Sequence, residues 1–82
     1  MLKIVAVKID DIYIPTARRN EVEQTKVDET VEKKLNEEDL KPIKVRRGKG
    51  RFVLIEGVHR VEAGKALGDT EIGAYIVQAP KF

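Results

Sequence analysis

The sequence predicts an α+β fold, a small mixed β-sheet with two main helices packed on it. Two observations lead there. Short runs rich in β-branched and aromatic residues recur near both ends and in the middle of the chain, as strands do. Two stretches carry apolar residues at helical spacing, one on each side of a glycine-rich hairpin signal. The order reads strand, loop, helix, hairpin, helix, strand, few enough strands for one sheet. With 82 residues, a single domain spanning 1–82 is expected, with a modest core.

The segment Met1–Ile9 alternates imperfectly, and Leu2, Ile4 and Ala6 against Lys3 and Lys8 suggest a strand with one buried face. Asp10-Asp11 interrupts it and Ile12-Tyr13-Ile14 resumes. Pro15 turns Ile14 away from helix, so 15–20, with Arg18 and Arg19, reads as a loop. From Glu21 to Leu35 the residues Val27, Val31 and Leu35 recur every four positions and form one apolar stripe. Asn20 would cap an early start of this helix; Thr25 with Asp28 marks a later one. Pro42 belongs at a strand start, and Ile43–Arg46 alternates. Arg47-Gly48-Lys49-Gly50 is a hairpin turn, and the strand Arg51–Ile55 returns antiparallel. Gly57 then breaks the chain, and Val61, Ala63, Ala66 and Leu67 predict a helix stopped by Gly68. Glu71–Val77 is the last strand, with Gly73 a soft spot in it.

Composition excludes several chemistries. The chain has no Cys, which removes disulfides, thiolate metal sites and cysteine nucleophiles. One His and no Cys argue against structural zinc. No apolar run approaches the roughly 20 residues of a membrane span, and no signal-peptide pattern opens the chain, so no membrane partner and a cytoplasmic location are expected. Charged residues are 37% of the chain at net +2, with Lys and Glu dominant. That usage leans towards a thermophile, and the net charge alone does not argue for nucleic acid.

Chemistry concentrates at Glu56-Gly57-Val58-His59-Arg60. A strand, a glycine turn and a helix start place free N–H groups and the positive end of the helix dipole beside Arg60 and the single His59. This suits a phosphate. The bland alternative is a backbone turn followed by two solvated side chains. Lys26, near the start of the first helix, is an unusual cation for that place and a second anion-ligand candidate; its plain reading is a solvated lysine. The basic hairpin of Lys44, Arg46, Arg47, Lys49 and Arg51 is a candidate nucleic-acid patch. Its plain reading is edge protection, and no aromatic platform is interleaved with it.

With those motifs in place the chain resembles the ParB/sulfiredoxin-like superfamily, in its ParB N-terminal form. Leu40-Lys41-Pro42-Ile43-Lys44-Val45 is similar to the family's L-x-P-I-x-V strand. The stretch Ile55–Gly68 resembles I-x-G-x-x-R-x-x-A-x-x-x-L-G, and Glu71–Val77 the closing strand. The resemblance implies a nucleoside di- or triphosphate held with Mg²⁺ at the Gly57 turn. Gly57, Val58, His59, Arg60, Lys26 and Arg18 or Arg19 would bind it. Sulfiredoxins carry a nucleophilic Cys where Val58 stands, so their thiol chemistry is closed to this chain. ParB proteins read Gly-Glu-Arg-Arg at this turn and bind CTP; a related free-serine kinase reads Gly-His-His-Arg with a carboxylate base nearby. His59 and Glu23 are therefore the catalytic candidates, with Glu21 and Glu56 as other carboxylates. The leading expectation is a nucleotide-phosphate-binding domain acting as a phosphotransferase or nucleotide hydrolase. The alternative is a non-enzymatic DNA-associated or protein-partner-binding module using the basic hairpin; a vestigial site is the third.

Overall fold

The strands are Ile4–Lys8 (β1), Ile12–Tyr13 (β2), Ile43–Arg47 (β3), Phe52–Glu56 (β4) and Glu71–Val77 (β5). The helices are Thr16–Arg19 (α1), Gln24–Leu35 (α2) and Val58–Ala66 (α3), and a 3₁₀ turn covers Ile9–Asp11. These elements come from a computed structural model that describes residues 3–36 and 41–77. The expected α+β class and mixed sheet are both present. Among the described residues no helix is long and apolar enough to cross a membrane.

The sheet order is β1-β5-β3-β4-β2. β3 and β4 form the expected antiparallel hairpin, closed by the Gly48 N–H donating to the Arg51 carbonyl at 2.8 Å. β5 slots between β1 and β3, antiparallel to the first and parallel to the second. To carry the chain from β4 to β5, α3 must cross over β3, and it packs on both β3 and β5. Val58 and Val61 of α3 join Val7, Ile43, Val45, Leu54 and Ala74 of the sheet in one buried cluster. α2 packs in turn on α3 with Val27 buried. α3 is therefore covered on more than one side.

Several expectations are corrected. The buried residue of β1 is Val7, while Ile4 is 61% exposed and Ala6 is exposed too. Alternation puts Val7 on the core face and Ile4 and Ala6 on the other, and β1 is an edge strand. Leu2, expected on the buried face, lies outside the described residues, as does part of the Leu40–Val45 motif. The 15–20 loop contains a helical turn, because the Pro15 carbonyl accepts from both Arg18 and Arg19 N–H groups. Ile12 and Tyr13 form an extra short strand parallel to β4. α2 starts at neither Asn20 nor Thr25; Glu23 is its extended N-cap, with no side-chain cap bond.

The stripe expected on α2 fades along its length, from buried Val27 to half-buried Val31 to Leu35 at 66% exposed. Glu23 at the head of α2 meets His59 at the head of α3, and Lys34 near its end pairs with Asp69 just past α3. The two helices thus run side by side in the same direction. With 12 residues against 9, α2 overhangs its partner by about 4.5 Å. On α3 the buried residues are Val58, Val61, Ala63 and Gly64; Ala66, expected inside, is exposed. Gly68, at φ 77°, ends α3 as expected: its N–H donates to Lys65 and that of Asp69 to Gly64, the paired bonds of a Schellman stop.

Leu54 is 1% exposed at the centre of the cluster. Leu54→Ala is expected to cost about 2–5 kcal/mol in urea unfolding, and Leu35→Ala no more than about 0.5 kcal/mol.

Candidate functional site

β4 carries one extra residue against β3: Val45 pairs with Leu54 and Lys44 with Glu56, leaving Ile55 as a bulge. The bulge re-aims the strand end into Gly57. Gly57 adopts φ 110°, ψ 31°, and a Cβ there would stand 2.6 Å from Ile43 Cγ2 and 2.9 Å from Arg60 Nη2. Only glycine fits, by conformation and by space. The Gly57 carbonyl accepts from the Arg60 and Val61 N–H groups at 3.1 Å each. The N–H groups of Val58 and His59, first on the helix, have no intrahelical acceptor.

A cleft of about 370 Å³ opens over this turn. Gly57, His59, Arg60, Arg18, Glu21 and Thr30 line it, with Ile55, Glu56 and Val58. His59 Nε2 accepts a hydrogen bond from the backbone N–H of Glu23 at 3.1 Å. A nitrogen that accepts carries no proton, so a neutral ring must hold its proton on Nδ1. His59 is then available as a donor through Nδ1. Arg18 Nη1 donates to Glu21 Oε1 at 2.6 Å, an ion pair half exposed on both sides. Arg60 Nε is buried and, among the described residues, has no hydrogen-bond partner. Thr30 Oγ1 donates to the Lys26 carbonyl at 2.8 Å, so towards a ligand it offers only lone pairs.

The candidate residues divide. Gly57, His59, Arg60 and Arg18 meet in the cleft, and so do Glu21 and Glu56. The Val58 side chain is 4% exposed and belongs to the core, which leaves its N–H for a ligand. Of the two loop arginines, Arg19 points elsewhere: its Nε donates to the Ile14 carbonyl at 3.2 Å, and it lines a separate hollow with Asp10, Tyr13 and Arg51. Glu23 reaches His59 with its backbone, while its carboxylate lies 3.7 Å from Lys26 Nζ, both well exposed. Lys26 does not line the cleft. Thr30 and Ile55 were not among the sequence candidates. Thr30 lies between Val27 and Val31 of the apolar stripe, a position with no chemical signal of its own.

The cations of the basic hairpin have different neighbours. Lys44 pairs with Glu56 at 3.3 Å; Arg47 lies 5.8 Å from the Phe52 ring centre and Arg51 4.0 Å from that of Tyr13. Arg46 is half-buried, and Lys49 is exposed at the turn. The expectation of no aromatic among these cations is corrected, since Tyr13 comes alongside through the parallel β2–β4 pairing.

The family model of the ParB N-terminal domain matches residues 1–81. The chain belongs to the ParB N-terminal domain family. Among solved structures this ParB-type domain is similar to sulfiredoxin from Arabidopsis thaliana, at TM-score 0.81 and 28% identity, over 94% of this chain and 86% of that one. A free serine kinase in complex with AMP matches at TM-score 0.80 and 16% identity, over 93% of this chain and 31% of the kinase. ParB from Caulobacter crescentus complexed with CTP-gamma-S gives 0.80 and 16%, over 96% and 46%. The chain thus spans under half of the latter two proteins, and at 16% they share its fold. No curated protein matches the chain.

Gly57→Ala forces a left-handed φ on a residue with a Cβ and drives that Cβ into Ile43. It is expected to lower stability by about 1–3 kcal/mol in denaturant unfolding and to displace the amide resonances of Val58–Arg60.

Proposed function

We propose that this domain binds the phosphates of a nucleoside di- or triphosphate in the cleft over Gly57. The observation that carries the reading is the convergence of two free helix-start N–H groups, Arg60, Arg18 and a His59 held by Glu23 on one side of a turn that admits no side chain. Nucleotides in two fold neighbours, AMP in the serine kinase and CTP-gamma-S in ParB, agree with it. In this reading the Val58 and His59 amides and the Arg60 guanidinium take phosphate oxygens, and His59 donates through Nδ1. Glu23 acts through its backbone, by positioning that ring. Among the described residues no three His, Cys, Asp or Glu side chains converge on a metal position. A Mg²⁺ would therefore be held chiefly by the phosphates, where it neutralises charge. Transfer or hydrolysis of the terminal phosphoryl group is the chemistry such a site would support, with Glu21 and Glu56 as the carboxylates at its edge.

The test is titration of ATP, ADP and CTP with Mg²⁺ into ¹⁵N-labelled protein. Saturable shifts centred on Gly57–Val61 are expected, and flat titrations at millimolar nucleotide would end the reading. Arg60→Ala should weaken binding about 10- to 150-fold, the range for a lost charge-assisted hydrogen bond. The two ring nitrogens are separable, because an Asn amide reaches as far as Nδ1 and a Gln amide as far as Nε2. His59→Asn should retain more affinity than His59→Gln; the reverse order would make Nε2 the ligand atom. Glu21→Gln frees Arg18 and removes a negative charge at the cleft, so nucleotide should bind more tightly, by up to about five-fold for an exposed pair.

A further inference from the structure

On another side of Arg60 lies a second hollow, of about 240 Å³. Among the described residues it is lined by Ile4, Pro42, Ile72 and Gly73 and by three cations, Lys34, Lys41 and Arg60. No helix start supplies N–H groups here. Its walls are mostly apolar, with the three cations along part of them. Lys34 is held in place, its side chain 26% exposed and its Nζ 2.9 Å from Asp69 Oδ2. Gly73 keeps the hollow open: a glycine inside a strand often marks a close approach, and a Cβ there would stand 3.2 Å from Ile4 Cγ2. Arg60 lines both hollows, and among the described residues its Nε has no partner, which leaves the guanidinium incompletely paired.

We propose that this hollow is a binding site for a small carboxylate with a short branched apolar body. Lys41 and Arg60 would take the carboxylate, and Ile4, Pro42 and Ile72 the hydrocarbon. The volume falls below the roughly 300–1,000 Å³ of common ligand clefts, which limits the occupant to a metabolite-sized acid. A doubly charged phosphate is a poorer match, because most of the wall offers it no hydrogen bond. Sharing Arg60 makes the site a neighbour of the cleft over Gly57, so it is tested with that cleft empty.

Isovalerate is the probe, titrated into ¹⁵N-labelled protein without nucleotide. Isoamyl alcohol has the same skeleton without the charge, and inorganic phosphate has the charge without the skeleton. Saturable isovalerate shifts at Lys41, Ile72, Gly73 and Ala74, absent with both controls, are expected. Lys41→Ala, at an exposed position, should weaken isovalerate about ten-fold while leaving the spectrum otherwise unchanged. Gly73→Val should fill the hollow and abolish the shifts. Equal response to the alcohol or to phosphate would overturn the proposal, as would shifts that survive Lys41→Ala unaltered or no response up to saturating probe. Because no nucleotide is present, failure here leaves the cleft over Gly57 to stand or fall by its own titration.

Discussion

One contact sets the geometry of this domain: the Gly57 turn pressed between Ile43 and Arg60. Ile43 is fully buried at the start of β3, and its Cγ2 occupies the space where a side chain at 57 would go. The left-handed turn points α3 back over β3 directly after β4 ends. That crossing buries Val58 and Val61 on Ile43 and Val45, and it leaves the gap into which β5 enters beside β3. The same turn exposes the first N–H groups of α3 to the cleft. Core packing and anion-site geometry are therefore one constraint, and a change at 57 is felt in both.

The charges contribute little to holding the fold. The five ion pairs among the described residues, from Arg18–Glu21 to Lys65–Glu62, are all partly or largely exposed. Exposed pairs are worth about 0–1 kcal/mol each, whereas one buried Leu or Ile side chain contributes about 1.5–3 kcal/mol. The high charge content is better understood as a surface property. At the cleft it has a different consequence, because there the cations face a volume that a ligand can enter.

Elements with a local physical signature were legible in the sequence. The β3–β4 hairpin, β5, the Gly57 turn and the Gly68 stop each follow from residues adjacent in the chain. What was not legible depended on partners distant in sequence. β1 shows its buried face only through its register with β5, and Leu35 is exposed where α2 outruns α3. α2 lacks a side-chain cap because a Glu rather than Ser, Thr, Asp or Asn stands at its N-cap, and the Glu23 N–H meets a histidine 36 residues away. Gly57, His59, Arg60 and Arg18, all named as candidates in the sequence, line one cleft. Thr30 did not, since a threonine on a helix carries no functional signal until its neighbours are known. Arg18 and Arg19 were indistinguishable in sequence and separate because neighbouring helical positions point about 100° apart, one to the cleft and one to the Ile14 carbonyl.

Position 58 and the carboxylates together limit the chemistry this chain can perform with its own residues. A buried valine stands at 58 and the chain has no cysteine, so no thiol nucleophile arises from the turn. The acids near the cleft each sit beside a cation, Glu21 by Arg18, Glu56 by Lys44 and Glu23 by Lys26. An anion that captures Arg18 would break the shortest of these pairs and release Glu21 at the edge of the same cleft. An anion in the cleft and the Glu21 carboxylate would then compete for one guanidinium. The empty cleft would keep that group occupied, a coupling that follows from the 2.6 Å pair itself.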